Sequence, residues 1–312
     1  MGRRRAAVLV GVHLLIAAHV AHWLSTGRTV SPLEPSEAME FAKYSIVNAG
    51  LVFFALATVS TLVLGRFFCG WGCHVVALQD LCRALLLRVG IRPRPLRSRA
   101  LAWVPFLAFA YMFLWPAVAR LAAGDDLAVR GSALTTSDFW RTFPPWWGAL
   151  ATFLVCGFVA VYLLGAKGFC TYGCPYGALF AGADRLSPTR IRVTDDCERC
   201  GHCSATCSSN VDVGREVHEF GMVVDPGCMK CLDCVSVCPT NALYVGLGRP
   251  ARGARPRNER SKRRRGLPWG AELSLAALFA AAFLVYRGLY GVVPLLRALG
   301  LAGCLAVGAL LA

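Results

Sequence analysis

Residues 197–239 read CERCGHCSATCSSNVDVGREVHEFGMVVDPGCMKCLDCVSVCP and carry eight cysteines. The cysteines fall into two quartets of identical spacing, C-x2-C-x2-C-x3-C. Three thiolates spaced two residues apart can bind three corners of one iron–sulfur cube, while the fourth is carried to a neighbouring cube. The spacing therefore predicts one 4Fe–4S cluster held by Cys197, Cys200, Cys203 and Cys238. It predicts a second cluster held by Cys228, Cys231, Cys234 and Cys207.

This spacing, with Pro239 after the second quartet, is that of the bacterial ferredoxin run. Two other uses of cysteine fit the pattern less well. Zinc sites usually pair two short steps across a longer spacer, and disulfides need an oxidising compartment. Ser208 follows Cys207 where the ferredoxin pattern has proline, and this change bears on redox potential more than on cluster occupancy.

The rest of the chain is too apolar for an ordinary soluble domain. Of its 312 residues, 56% are hydrophobic, and the mean hydropathy is +0.52. A helix needs about 20 apolar residues to cross the hydrocarbon core. Such stretches predict four spans at about 6–24, 46–65, 101–121 and 149–166. A C-terminal pair of spans is predicted at about 271–290 and 292–312. Because the sequence is still apolar at its last residue, the pair is expected to be either a tight hairpin or part of a chain that continues further.

These features define the expected fold class. We expect an all-α polytopic membrane protein with an inserted two-cluster, ferredoxin-like α+β module. The predicted domains are a transmembrane domain at 1–190, the ferredoxin-like domain at 191–248, a basic linker at 249–270 and a C-terminal transmembrane hairpin at 271–312.

The net charge of +15 is distributed unevenly along the chain. Arginines cluster at the N-terminus, in the connection after the second span and in the tract 252–265, which all lie on one side if the spans alternate. The opposite connections hold the acidic residues Glu34, Glu37, Glu40, Asp125, Asp126 and Asp138. The positive-inside rule then predicts an inner-membrane protein whose N-terminus and ferredoxin module are cytoplasmic.

A basic protein of this size also raises the question of nucleic-acid binding. Basic residues beside spans are more often topology determinants and contacts for anionic lipids, and the sequence has no aromatic-interleaved recognition module. We therefore expect the lipid bilayer and redox proteins as partners, and no nucleic acid. The Arg-rich start resembles a signal peptide, but no small-residue cleavage site follows it, so the first span is expected to be retained.

An internal repeat lies at the ends of the second and fourth predicted spans. Residues 65–74 read GRFFCGWGCH and residues 165–175 read GAKGFCTYGCP. Aligned on their cysteines, both copies read R/K-x-F-C-x-W/Y-G-C, which indicates duplication of a span with a C-x3-C exit. Each copy is followed by an amphipathic stretch that we expect to form a short helix along the membrane interface.

The repeat cysteines are candidates for an additional redox or metal site, and they are Cys69, Cys73, Cys170 and Cys174. Their spacing leaves open whether they bind another cluster, form a redox-active dithiol or hold a transient metal. The alternative is small, buried side chains at a helix contact, which repetition of the whole motif disfavours. The remaining cysteines are expected to be structural, and they are Cys82, Cys156 and Cys304.

Three histidines, His13, His19 and His22, lie in or near the first predicted span. An ionisable residue within a span is a functional hypothesis by default, so quinone contact through His19 or His22 is considered beside neutral packing. Haem b needs histidines on two spans, and no other predicted span contains one. The sequence has no motif for nucleotide binding or hydrolysis. We expect an electron carrier or a subunit of an oxidoreductase system rather than a self-contained enzyme.

Two C-x3-C motifs with Trp or Tyr between the cysteines, four predicted spans and a two-cluster segment together resemble the membrane polyferredoxins of the NapH, NosR and CcoG type. The resemblance covers about residues 40–245. In that family each C-x3-C is followed by proline, and here His74 takes its place in the first copy. NosR-type proteins also carry a flavin-binding domain outside the membrane, for which this sequence has no candidate.

The motifs and the resemblance lead to one functional expectation and one alternative. We expect an integral membrane iron–sulfur protein that passes single electrons between a quinone or cytoplasmic donor and a respiratory or periplasmic reductase system. The alternative, implied by the CcoG-type resemblance, is a metal-reducing or assembly factor for a membrane oxidase or reductase. A membrane-tethered redox sensor would carry an output domain, and none is visible in the sequence.

Overall fold

The structure is a computed structural model that describes residues 2–93, 97–140, 145–257, 267–288 and 295–311. These residues form helices and three small two-stranded sheets. The helices are α1 (Gly2–Thr26), α2 (Met39–Tyr44), α3 (Ala49–Leu64), α4 (Phe67–Trp71), α5 (His74–Arg88), α6 (Val104–Phe109), α7 (Trp115–Ala122), α8 (Trp146–Phe153), α9 (Ala160–Leu164), α10 (Gly168–Tyr172), α11 (Pro175–Asp184), α12 (His202–Thr206), α13 (Val213–Phe220), α14 (Asp233–Ser236), α15 (Trp269–Gly288) and α16 (Leu295–Leu311). The strands are β1 (Thr29–Val30), β2 (Ile46–Asn48), β3 (Gly131–Ala133), β4 (Thr135–Thr136), β5 (Arg190–Val193) and β6 (Leu243–Gly246).

Three helical stretches of the described chain are long and apolar enough to cross a membrane. The first is α1, and the other two run over Leu101–Ala122 and Trp146–Leu164. The second stretch joins α6 to α7 and the third joins α8 to α9, in each case through a π-helical segment. These three correspond to the predicted first, third and fourth spans.

The predicted second span forms α3, an apolar helix of 16 residues. The Asn48 side chain begins it by accepting a hydrogen bond from the Leu51 backbone N–H (2.8 Å), and Gly65 follows its end with φ +67°. At 1.5 Å per residue, α3 is about 24 Å long, which is less than the hydrocarbon core of about 30 Å. The predicted second span, and with it the total of four, therefore stays a prediction.

The C-terminal helices pack against the third apolar stretch, Trp146–Leu164. Leu275 of α15 and Val307 of α16 share a core with Ala160 and Leu164 of that stretch. Glu272, in the first turn of α15, accepts hydrogen bonds from the Ser98 hydroxyl (2.7 Å) and the Arg99 backbone N–H (2.9 Å). These bonds fix the start of α15 beside the start of the second stretch. Parts of the predicted basic linker and hairpin, residues 258–266 and 289–294, lie outside the described residues.

The second repeat forms a re-entrant hairpin beside α3. Tyr176, at the start of α11, packs against Phe54 of α3 with ring centroids 5.8 Å apart. Asp184, at the end of α11, accepts a hydrogen bond (3.0 Å) from the backbone N–H of Arg66, just past the end of α3. The two helices therefore run in the same direction, and Tyr176 lies about 16 Å along α3 from Gly65 at 1.5 Å per residue.

The amphipathic helix predicted after the second copy forms as α11, and its place along the membrane interface stays a prediction. Most of α11 is buried, and Phe180 is only 3% exposed, packed in one core with Phe54. Its aromatic side chains find apolar partners on α3, which gives more burial than an interface position would. The helix lies between α3 and α6.

The connection between α1 and α3 enters the same core from the other end of α3. Ala38 packs with Phe54 and Cys69, and Glu34 lies 3.7 Å from the ring nitrogen of His74. Sheet pairs brace this connection, since β1 pairs antiparallel with β4 and β2 pairs parallel with β3. Segments from both ends of α3 therefore meet near the repeat cysteines.

The ferredoxin segment is built from two similar halves. Strands β5 and β6 pair antiparallel, with Arg190 opposite Gly246, while α12 and α14 each follow the second cysteine of a quartet and α13 lies between the quartets. Left-handed backbone recurs at positions 31 residues apart, as are Cys197 and Cys228. The pairs are Arg199 and Lys230, Gly201 and Leu232, and Asn210 and Asn241. The two quartets therefore fold alike, as their equal spacing predicts.

Candidate metal centres

The first centre is a cavity at the surface of the ferredoxin segment. It has a volume of about 410 Å³, and its lining includes Cys197, Cys200, Cys203 and Cys238. Three of these thiols come from the first quartet and the fourth comes from the second, which is the set that the spacing predicts for one cluster. Because Cys200 is exposed, this centre lies near solvent.

Backbone amides surround the thiol that arrives from the second quartet. Partial burial opposes ionisation of Cys238, but hydrogen bonds from the Leu243 backbone and from Thr240 outweigh it and lower the pKa of this thiol. Hydrogen bonds of this kind stabilise a thiolate, and they also tune the potential of any cluster that the thiolate binds.

The second centre is buried. Cys228, Cys231 and Cys234 are each at most 8% exposed, and Cys207 packs in the same core. Cys234 is close enough to Cys228, Cys231 and Cys207 to interact electrostatically with each. Burial raises the pKa of the Cys228 thiol to about 12, so at neutral pH this thiol is uncharged until a metal displaces its proton.

Buried cations surround this second centre. Five basic side chains are at most 8% exposed, and they are Arg5, Arg66, Lys167, Arg190 and Lys230. The carboxylates paired with them are the fully buried Asp184 and the partly buried Asp80 and Asp233. Glu216 and Asp225 are also buried in the ferredoxin segment. The buried cations and the carboxylates near this centre are therefore similar in number.

The pairings of these cations leave one ammonium group without a partner. Asp184 pairs with Lys230 and lies 2.8 Å from the guanidinium of Arg190, while Arg5 pairs with Asp80 at 2.7 Å. The Nζ atom of Lys167 has no hydrogen-bond partner among the described residues, and Cys231 is the group with the strongest favourable electrostatic effect on it.

The third group of thiols comes from the two repeats. Cys69 and Cys170 are buried in one core, and Cys73 and Cys174 pack against it. The four side chains also lie within electrostatic reach of one another. The structure therefore brings both C-x3-C motifs to one place, which spacing alone left open.

Polar groups from both repeats line this tetracysteine group, which comprises Cys69, Cys73, Cys170 and Cys174. The Gln79 amide nitrogen of the first repeat donates a hydrogen bond (3.1 Å) to Cys170 Sγ of the second. Arg66 donates a hydrogen bond to Cys69. Gln79 Oε1 and Arg66 Nε are buried without a hydrogen-bond partner in the part of the chain that the structure describes.

The other candidate residues have local roles. His13 bonds the Leu9 carbonyl oxygen (2.9 Å), His19 bonds the Val30 carbonyl oxygen (3.0 Å), and His22 bonds the Thr29 hydroxyl (3.0 Å). The last two contacts hold β1 against α1. The structural cysteines Cys82, Cys156 and Cys304 are buried as expected.

Sequence reasoning missed the buried cations and Gln79. A signal for two of them was present, because the position three residues before the first cysteine of each repeat is basic, as Arg66 and Lys167. A basic residue at the end of a span is normally taken as a topology determinant, and burial could be recognised only once the ferredoxin segment was packed against the repeats.

Family models place iron–sulfur domains on the same segments. A model described as a 4Fe-4S dicluster domain matches residues 189–239. A model described as a 4Fe-4S binding domain matches twice, at residues 48–95 and 147–194, and each match contains one C-x3-C motif. The chain is therefore an iron–sulfur protein with candidate membrane spans.

Curated relatives each match more than half of the chain. YccM of Escherichia coli is 26% identical over 275 residues, 78% of this chain and 74% of the relative. The ferredoxin-type protein NapH of Haemophilus influenzae is 27% identical over 197 residues, 59% of this chain and 63% of the relative. The methylamine utilization ferredoxin-type protein MauN of Methylorubrum extorquens is 27% identical over 221 residues, 66% of this chain and 73% of the relative. No solved structure matches the chain.

Proposed function

Since this chain belongs to the membrane polyferredoxin family, we propose that it passes single electrons between an aqueous donor or a quinone and a respiratory or periplasmic reductase system. The ferredoxin-type names of NapH and MauN support electron transfer as the activity. The observation that carries the proposal is the crossed arrangement of the ferredoxin cysteines, in which the surface cavity is lined by three thiols of one quartet and Cys238 of the other.

The residues of each centre would hold one 4Fe–4S cluster, four thiols to a cube, with Cys238 and Cys207 exchanged between the quartets. A bound 4Fe–4S cluster accepts and releases one electron at a time. The exposed Cys200 puts the first centre within reach of a soluble partner. The buried cysteines of the second centre exclude water, and the buried cations around them favour added negative charge.

The two centres would form a path from the surface toward the membrane helices. Cys203, of the first set, is close enough to Cys234, of the second, for electrostatic interaction. The second centre in turn contacts the repeats, because Trp71 donates a hydrogen bond (3.1 Å) to the Lys230 carbonyl oxygen. The two centres would therefore connect a soluble partner at the surface with the membrane domain.

We place the ferredoxin module in the cytoplasm of an inner-membrane protein. Arg5, near the start of α1, pairs with Asp233 of the module at 3.3 Å and with Asp80 at 2.7 Å. These ion pairs support one side for the N-terminus and the module, and the Arg-rich connections support the cytoplasmic side. Clusters are also assembled from reduced thiols, which the cytoplasm maintains.

A second cavity is the candidate site for a quinone. It has a volume of about 330 Å³ and lies between Ala102 and Pro105 of the second stretch and Ala181 of α11, with Arg66 and Cys170 at its inner wall. Ala102, Pro105 and Ala181 give this cleft an apolar wall, while Arg97, Arg99, Arg185 and Asp225 give it charged groups, and the combination suits a small apolar ligand that carries polar substituents. Oxidation of one quinol releases two electrons and two protons, so two one-electron centres would take the electrons and water would take the protons.

Electron-paramagnetic resonance of the anaerobically purified, reduced full chain tests the proposal. We expect at least about eight iron and eight sulfide per chain, because two cubes carry four of each. Cys207→Ser should perturb the same signal as Cys231→Ser, while Cys200→Ser should perturb the other and the control Cys82→Ser neither.

Two results would contradict this assignment. Zinc in place of iron and sulfide would exclude clusters. A Cys207→Ser effect on the signal that Cys200→Ser alters would mean that each quartet binds its own cube. Genes for copper or oxidase-assembly proteins beside this one would favour the alternative function, metal reduction or assembly of a membrane oxidase.

A further inference from the structure

We propose that the tetracysteine group is a single site for a third 4Fe–4S cluster, with two ligands from each repeat. The inference rests on the proposed function, because it extends the electron path from the ferredoxin module into the membrane domain. The site would be the innermost of three centres.

The first step is that both repeats contribute to one enclosure. Arg66 of the first repeat lies against the second, since a Cβ added to Gly177 would be 3.5 Å from its guanidinium and 3.6 Å from Cys174 Cβ. Gln79 of the first repeat likewise contacts the second repeat, because its side-chain amide donates a hydrogen bond to Cys170 Sγ. Because the side chains of each copy reach the cysteines of the other, the site is complete only when both copies are present.

The second step is that hydrogen-bond donors are directed at these thiols. Cys73 precedes α5 and Cys174 precedes α11, and each thiol accepts backbone N–H hydrogen bonds from the first turn of its helix. A helix N-terminus stabilises negative charge. Arg66 adds a buried positive charge beside Cys69.

The third step concerns the size of the group that would be bound. Among the described residues, no three His, Cys, Asp or Glu side chains converge closely enough to hold one metal ion. This applies to the ferredoxin quartets as well, whose thiols must reach the separate corners of a cube. Four thiols, two from each repeat, are the number that one 4Fe–4S cube requires.

The fourth step connects the site to the second centre. Gly70 lies directly against the Met229 carbonyl, where an added Cβ would collide with the oxygen. Met229 lies between Cys228 and Cys231 in the sequence, and its side chain packs in the same core as Cys69. The backbone that carries one set of thiols therefore touches the backbone that carries the other, and an electron can pass between them.

Iron and sulfide analysis of the anaerobically purified full chain tests the inference. We expect about twelve of each per chain, and about eight in the double variant Cys73→Ser/Cys174→Ser with both ferredoxin signals retained, because one cube carries four. The control Cys82→Ser/Cys156→Ser removes two other buried cysteines and should keep about twelve. Native mass spectrometry of the unaltered protein gives a second measure that needs no variant, and it should show the mass of three clusters.

Contrary outcomes separate this inference from the proposed function. About eight iron in the unaltered protein, with both ferredoxin signals, would overturn the third cluster and leave the proposed function intact. About eight iron with one zinc per chain would assign the site to a single ion instead. Iron well below eight would contradict the ferredoxin centres themselves.

Discussion

Lys167 is a buried basic side chain, and a buried positive charge is stabilised by a nearby anion. It is fully buried in the folded chain, and its Nζ atom finds no hydrogen-bond partner among the described residues. Asp80 and Asp233 are near it but already pair with Arg5. A buried charge without a partner costs several kcal/mol. A cluster bound at Cys231 would carry the negative charge that makes this position favourable.

Removal of that charge should therefore change a redox potential. In Lys167→Met, the reduced state of the second centre loses its nearby cation, so its reduction potential should fall by roughly 60 mV, a tenfold change in a one-electron equilibrium. A potentiometric titration followed by electron-paramagnetic resonance measures this. The first centre is the internal control and should stay within a few tens of millivolts, while Lys167→Arg keeps the charge. Equal shifts at both centres would mean that Lys167 acts on structure rather than on one cluster.

At this scale the sequence predicted which thiols lie together but not which charges are buried. Cysteine spacing alone grouped Cys238 with the first quartet, and the same thiols line one cavity. That these thiols bind a cluster stays a prediction, and it rests on the fixed spacing of the ferredoxin run. The positions of Arg66 and Lys167 carry no such constraint, since their partners lie far away in the sequence.

At the scale of helices, hydrophobic length predicted which stretches are long and apolar enough to cross a membrane, but not how the short helices pack. The stretches near 101–121 and 149–166 form long apolar helices. The residues after Cys174 were expected to form a helix along the membrane interface, and they form α11, which packs in the core beside α3. A short amphipathic pattern is the same for an interface helix and for a buried re-entrant one, so only tertiary packing could separate them.

The re-entrant hairpin leaves the second cavity between α6 and α11, and a bulky side chain there should block quinol oxidation. Ala181 lines the cavity, so Ala181→Trp should slow reduction of the centres by an added quinol at least tenfold and leave reduction by dithionite unchanged. Gly182→Trp is the matched control, because nothing lies within 4 Å of a Cβ added there. Rapid mixing with optical detection of cluster reduction gives both rates. Equal quinol rates in the two variants would remove the cavity as the quinone site.

At the scale of the whole molecule, the ferredoxin module is fixed to the membrane domain by buried ion pairs. Lys230 of the module pairs with Asp184 at the end of α11, and Asp233 pairs with Arg5 of α1. Buried pairs of this kind specify one arrangement more than they stabilise it. A fixed arrangement is what electron transfer requires, because the distance between centres must not vary. It also ties the sidedness of the module to that of the N-terminus.

Whether a cytoplasmic donor can reach the exposed centre depends on that sidedness. Since Arg5 contacts the module and basic connections stay in the cytoplasm, reporter fusions after Gly248 should be active only with a cytoplasmic reporter. Asp125, at the far end of the second membrane stretch, should give activity only with an exported reporter. Arg5→Glu, which would repel Asp80 and Asp233, should loosen the module without reversing either fusion, because the other arginines still set the topology. The opposite fusion pattern would put the exposed Cys200 outside the cell and would remove a cytoplasmic donor as the source of electrons.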